Sequence, residues 1–102
     1  MPYAIRKVDD NQPEIVETLR RCGFSVACTH IIGKGFPDLA ISKHGITMLA
    51  EVKDGRKRKS SRRLTGDEKT FRENWKAEIP ILETEDDVLA LSYRFTRMLV
   101  RL

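Results

Sequence analysis

The sequence predicts an α/β fold: a small mixed sheet flanked by helices, with elements in the order α-β-β-β-α-β-α. Two patterns carry the prediction. Apolar residues recur at helical spacing near the N-terminus, around residues 65–75 and along the C-terminal stretch. Between Phe24 and Lys53 they alternate or form short blocks separated by glycine turns. A chain of 102 residues suffices for one compact core and not two, so residues 1–102 are read as a single domain.

The first helix starts near Asn11. Asn11 can act as N-cap, Pro13 suits the first turn, and Glu14 completes a capping box. Ile15, Val16, Leu19 and Cys22 share one face, and Gly23 ends the helix. Phe24 to His30 has the period of a strand, with Phe24, Val26, Cys28 and His30 alternating against Ser25, Ala27 and Thr29. Gly33-Lys34-Gly35 is a loop, Pro37 to Ile41 a second strand, Lys43-His44-Gly45 a tight turn, and Thr47 to Lys53 a third strand. Thr65-Gly66-Asp67-Glu68 is another capping box. It opens a helix whose Phe71 and Trp75 form a core stripe and which Pro80 stops. Ile81 and Leu82 suggest a short buried strand. Thr84 to Asp87 begins the last helix, striped by Val88, Leu91, Phe95, Leu99 and Leu102.

Composition narrows the class of protein. Hydrophobic residues make up 40% and charged residues 33%, as in a globular protein, and no apolar run approaches the roughly 20 residues that cross a bilayer. MPYAIRKVDD lacks the apolar stretch of a secretory signal, so the expected location is cytoplasmic, with no membrane partner. Cys22 and Cys28 have no CxxC spacing and read as buried, reduced thiols rather than a zinc site or a disulfide framework. The net charge of +4 is uneven. Arg56, Lys57, Arg58, Lys59, Arg62 and Arg63 stand against Asp54 alone, so residues 54–63 carry +5 and the rest of the chain −1. One basic run on a near-neutral body is the footprint of a phosphate-binding patch, although a solvated loop has the same composition.

The chemistry lies between Gly33 and Lys53. Asp38 sits at the mouth of one strand, while Glu51 and Lys53, two apart on the next, send their side chains to the same face and Val52 to the other. The hairpin turn brings Asp38 towards Glu51. Paired carboxylates repel each other and invite a divalent cation, and hard oxygen ligands suit Mg²⁺ or Mn²⁺. The Val52 carbonyl is a further candidate ligand. Such a metal polarises a phosphoryl oxygen, and Lys53 can orient a water or stabilise developing charge. Gly33 and Gly35 would let the backbone approach a phosphate, with Lys34 holding it. A Pro-Asp dipeptide or a Glu-x-Lys pair alone is commonplace. Their conjunction with a glycine loop, twelve residues between Asp38 and Glu51, and a basic run is not.

That conjunction resembles the PD-(D/E)xK nuclease superfamily, and within it the small stand-alone VRR-NUC-like nucleases common in phages and prophages. Asn11-Gln12, His30, Gly33 to Leu39, Glu51 to Gly55, Leu64-Thr65, Glu68 and Trp75 carry the resemblance, which spans roughly residues 10 to 90. It implies a restriction-endonuclease-like core, Mg²⁺-dependent DNA cleavage by Asp38, Glu51 and Lys53, and homodimers acting on branched DNA. Many members also have a metal-binding glutamate in the first helix. The matching position here is Gln12, which helical phase puts on the inward face and which would offer only a neutral oxygen.

His30, before the glycine loop, is a candidate accessory residue for the scissile phosphate or for proton transfer; a structural histidine would suit the same position. The last helix is apolar over much of its circumference, from Val88 and Leu89 through Tyr93 to Val100 and Leu102, which points to a homodimer, although packing of all these residues on the sheet of one monomer would need the same composition. The alternative to an endonuclease is a non-catalytic nucleic-acid-binding module on the same fold.

Overall fold

The computed structural model describes residues 8–100 and, within them, side chains as far as Met98. They form a mixed α/β fold with three helices and one four-stranded mixed sheet. The elements are α1 (Gln12–Arg21), β1 (Ser25–Cys28), β2 (Leu39–Lys43), β3 (Ile46–Val52), α2 (Gly66–Asn74), β4 (Ile81–Leu82) and α3 (Glu85–Val100), with 3₁₀ turns at His30–Ile32 and Lys59–Arg62. Strand order follows chain order: β1–β2 and β2–β3 are antiparallel, and β4 joins β3 in parallel.

The β2–β3 hairpin closes on a two-residue turn. Lys43 pairs with Ile46, and His44 and Gly45 both adopt positive φ, 55° and 77°. Such a turn matches the right-handed twist of the strands, and glycine enters this region without the steric cost a side chain would add. Gly23, at φ 91°, ends α1 as expected: its N–H donates to the Arg20 carbonyl and that of Phe24 to Leu19.

Alternation along the strands assigns the two faces of the sheet. Leu39 and Ile41 of β2, Ala50 and Val52 of β3 and Leu82 of β4 are buried on one face. Ile15, Val16 and Leu19 from α1 and Val88, Leu91 and Phe95 from α3 cover it, and Phe24 meets Phe95 edge to face at 4.9 Å. Asp38, Glu51 and Lys53 have the opposite parity. They leave the other face, where Glu68 of α2 meets them.

Several local expectations are corrected. Asn11 flanks α1, but its side chain makes no cap; its amide crosses to the ends of β3 and β4, so the expected capping box does not form there. β1 stops at Cys28: the Thr29 N–H still donates to the Asp38 carbonyl and its hydroxyl to that of Pro37, but the backbone leaves the extended region at Thr29 (φ −115°, ψ 4°) and His30 begins a 3₁₀ turn instead of ending the strand. α2 ends at Asn74, ahead of Pro80. Trp75 is already extended (φ −95°, ψ 126°), and its residue is 42% exposed, so it is not part of the core. Both cysteines are free, but Cys28 is exposed and Cys22 only half-buried. On α3, Leu89 and Tyr93 form an exposed outer pair, while Leu102 and the side chains of Leu99 and Val100 lie outside the described residues. Among the described residues no helix is long and apolar enough to cross a membrane.

Candidate active site

Asp38, Glu51 and Lys53 lie together on one face, and all three are buried. The hairpin register explains this. Leu39 pairs with Ala50, so Asp38, one residue earlier, lies beside the Glu51–Val52 end of β3. The link is direct: the Val52 N–H donates to Asp38 Oδ2 at 2.9 Å. The Val52 side chain points into the core, as its parity requires. Parallel pairing with β4 holds the same stretch from the other side, through Glu51 N–H to Pro80 O (2.9 Å) and Lys53 N–H to Leu82 O (3.1 Å).

Glu51 is the most confined of these groups, at 1% exposure, and its Oε1 is buried without a hydrogen-bond partner. Burial, reinforced by the neighbouring Asp38 and Glu68 carboxyls, pushes its pKa up to about 10. An isolated carboxylate would avoid such a place. Lys53 Nζ donates to Glu68 Oε1 at 2.9 Å, and both groups are nearly inaccessible. Burial alone would raise the Glu68 carboxyl, but the hydrogen bonds from Lys53 and the Thr65 N–H outweigh it and hold it below the usual carboxylate range.

Two members of the cluster are not assigned to it by the sequence. Glu68 carries a signal, but a local one, because it is the third residue of the Thr65 capping box. That box forms, with Thr65 N–H donating to Glu68 Oε1 at 2.8 Å and Glu68 N–H to Thr65 Oγ1 at 3.1 Å. The same Oε1 also receives Lys53, so one carboxylate caps a helix and anchors a lysine from the sheet. Asp9 carries no signal. Its carboxyl is raised by burial, drawn back by Lys53 and raised again by Asp38, so it belongs to the same electrostatic environment.

The remaining predicted residues are distributed more widely. Gln12 is buried with Oε1 unpaired. It lines, with His30 and Cys28, an open cleft of about 720 Å³ between α1 and β1, whose other walls include Arg20 and Arg21. His30 is half-buried with its Nδ1 unpartnered among the described residues. Asp38, Glu51 and Lys53 do not line this cleft. The start of α1 is nevertheless fixed close to Lys53, because Asn11 Nδ2 donates to the Lys53 carbonyl at 3.0 Å.

Gly35 does not meet the expectation of a phosphate contact. It is buried, with φ 80°, and a Cβ there would lie 2.2 Å from the Asp67 carbonyl oxygen. Its missing side chain serves packing of the loop against the start of α2. Gly33 (φ 77°) stays open, and Lys34 is exposed beside it.

The basic run divides in two. Arg56 forks onto Asp54, Nε to Oδ1 and Nη2 to Oδ2, both at 3.0 Å, and lowers that carboxyl to about 2. Lys57 lies 3.8 Å from Asp10, and Arg62 Nη1 donates to Glu83 at 2.9 Å. Arg58, Lys59 and Arg63 are exposed and form no ion pair among the described residues.

Comparison of the chain with family models, with curated proteins and with solved structures finds no match.

Proposed function

We propose that this protein is a metal-dependent endonuclease of the PD-(D/E)xK type, hydrolysing DNA phosphodiesters on a restriction-endonuclease-like core. The single observation that carries the reading is Glu51: a buried carboxyl with an unpartnered oxygen, beside Asp38 and within reach of the Lys53–Glu68 pair. A hard divalent cation answers each of these features, since it supplies positive charge to two crowded carboxylates and a partner for the orphaned oxygen.

The residues fit such an ion. Among the described residues no three His, Cys, Asp or Glu side chains form a ligand set by themselves. Mg²⁺ does not need one, because it keeps several waters and commonly uses one or two carboxylates. Asp38 and Glu51 would hold it, with the Val52 carbonyl as a further donor, and Mn²⁺ would substitute; Gln12, which lines a cleft that Asp38 and Glu51 do not, would join them only by turning its side chain towards them. Bound there, the metal would polarise the phosphoryl oxygen and lower the pKa of a water. The chain's own part is orientation. Val52 N–H fixes one Asp38 oxygen, Glu68 fixes Lys53 Nζ, and burial keeps bulk water from screening the ammonium as charge develops on the phosphoryl group. Lys34, Arg58, Lys59 and Arg63 are the cations free to meet the backbone of DNA, with Arg56, Lys57 and Arg62 behind them. His30 is the accessory candidate. Branched DNA is the proposed substrate and a homodimer the proposed assembly, with Leu89 and Tyr93 as its exposed apolar surface. A cytoplasmic setting accompanies the two free cysteines.

The deciding experiment is cleavage of duplex, single-stranded, flap and four-way-junction DNA with Mg²⁺ or Mn²⁺. The wild type should cut at least one of them, and EDTA or Glu51→Gln should abolish cutting. Binding without cutting under every metal condition would turn the reading to a non-catalytic DNA-binding module.

A further inference from the structure

A file of three aromatic rings runs outward from the candidate active site. Phe36, two residues before Asp38, meets Phe71 edge-on, with centroids 5.2 Å apart and planes at 66°. Phe71 in turn stacks on Trp75 at 5.2 Å and 23°. The first ring is anchored by the loop that leads into Asp38. That loop is pinned to α2 where Gly35 abuts the Asp67 backbone, and α2 is pinned to Lys53 through Glu68. The file therefore has a fixed position relative to Asp38, Glu51 and Lys53.

Its outer end is open. α2 stops at Asn74, Trp75 turns into extended backbone, and the residue stays 42% exposed although Phe71 covers one side of the indole. A tryptophan serving only as core would be covered. Next to it in the chain stand exposed Lys76 and exposed Glu73, and Arg72 lines a cleft of about 430 Å³ with Ala77 to Ile81, where Glu78 is paired with Arg94. An open flat ring is what stacks on unpaired nucleotides, because every base has a π-face, and Lys76 and Arg72 are the neighbouring cations for the linking phosphates. A base inside a duplex is already stacked on both sides and has no face to offer.

We propose that Trp75 is a stacking platform for an unpaired DNA base and that it gives the enzyme a preference for substrates with a single-stranded segment near the cut. This rests on the nuclease reading and adds to it a substrate feature and the residue that reads it. Stacking of this kind changes affinity by roughly 5- to 150-fold per base.

Trp75 is the only tryptophan in the chain, so its emission reports on the platform directly. The test titrates the protein in EDTA, which prevents cutting, with oligothymidine and with a blunt duplex of two fully complementary strands. Binding is followed in parallel by anisotropy of labelled DNA. Oligothymidine should quench the tryptophan and shield it from acrylamide, whereas the duplex should bind without quenching. Trp75→Ala should weaken oligothymidine binding roughly 5- to 150-fold, Trp75→Phe should restore most of it, and duplex affinity should not change. Oligothymidine binding without quenching, or with equal affinity in Trp75→Ala, overturns the platform; if the wild type still cuts duplex with Mn²⁺, the nuclease reading survives. Absence of binding to both DNAs, together with absence of cutting, overturns both. Should Trp75→Ala fail to fold, wild-type quenching and the Trp75→Phe affinities decide alone.

Discussion

Residues 50–54 and residues 56–63 adjoin in the chain and treat charge in opposite ways. In the first stretch Glu51, Lys53 and Asp54 are all buried, fixed between two neighbouring strands and against α2. In the second, arginines and lysines stand in or near solvent, and three of them find acids from elsewhere, Asp54, Asp10 and Glu83. A buried charge must be desolvated, so it persists only where a partner or a ligand compensates, and it is sensitive to the removal of that partner. An exposed charge is screened and exchangeable, contributing about 0–1 kcal/mol even when paired. The first stretch holds a fixed arrangement of groups; the second leaves its charge at the surface, where the proposed function would use it on the backbone of DNA.

The comparison is most strained by deleting Lys53. Lys53→Ala leaves Glu68 buried without its cation, and a broken buried pair costs about 3–5 kcal/mol. A thermal or urea melt should register that loss, and on residual folded protein cleavage should fall about 10²–10³-fold. A double variant, Lys53→Met with Glu68→Gln, should recover most of the stability and none of the activity. Full stability in Lys53→Ala would mean that the pair is not desolvated as described.

The next effect is on pH dependence. In the metal-free protein Glu51 keeps its proton up to about pH 10 when folded, whereas in the unfolded chain it loses it near the ordinary 4.5. Between those values the folded state binds more protons. Stability from this group is therefore complete below 4.5 and falls as pH rises through 10. Melts in EDTA should show that decline, Glu51→Gln should flatten it, and Mg²⁺ should oppose it by favouring the ionised carboxylate. An EDTA profile identical in wild type and Glu51→Gln would contradict it.

The smallest effect on the fold, and the one that divides the basic run itself, comes from neutralising it in two sets of three. Replacing Arg58, Lys59 and Arg63 with glutamine should change stability by no more than about 0.5 kcal/mol. It should also reduce the slope of log affinity against log salt by about 0.9 for each phosphate left without its cation. Replacing Arg56, Lys57 and Arg62 should alter the slope less, because those cations already face acids. Equal changes from the two sets would mean that DNA displaces the intramolecular partners.

The features legible in the sequence are those whose cause is local. Gly23 stops α1, His44-Gly45 turns the hairpin and Thr65–Glu68 caps α2, each within a few residues of its signal. The spacing of Asp38, Glu51 and Lys53 is readable because hairpin register and strand parity are themselves local rules. What cannot be read depends on distant segments. Asn11 has the look of a cap, yet its amide serves carbonyls 42 and 72 residues away. Gly35 looks open to phosphate because the sequence does not reveal that Asp67 backs onto it. Trp75 fits a helical stripe that the chain leaves one residue earlier, and Glu68 fits its cap so well that a second role leaves no trace in the local pattern.

The Asn11 contact has a consequence for local unfolding. One amide joins the start of α1 to the carbonyls of Lys53 and Glu83, where β3 ends and the chain approaches α3. Terminal helices ordinarily fray with little effect on the rest of a domain, and amide exchange records this as low-energy opening. Here the first turn of α1 cannot lift without taking a donor from the Lys53 carbonyl, at the edge of the charged cluster, and one of two donors from the Glu83 carbonyl, which also accepts from the Gly55 N–H. Amide exchange should therefore record the first turn of α1 and the Glu51–Lys53 end of β3 opening together, and Asn11→Ala should uncouple them.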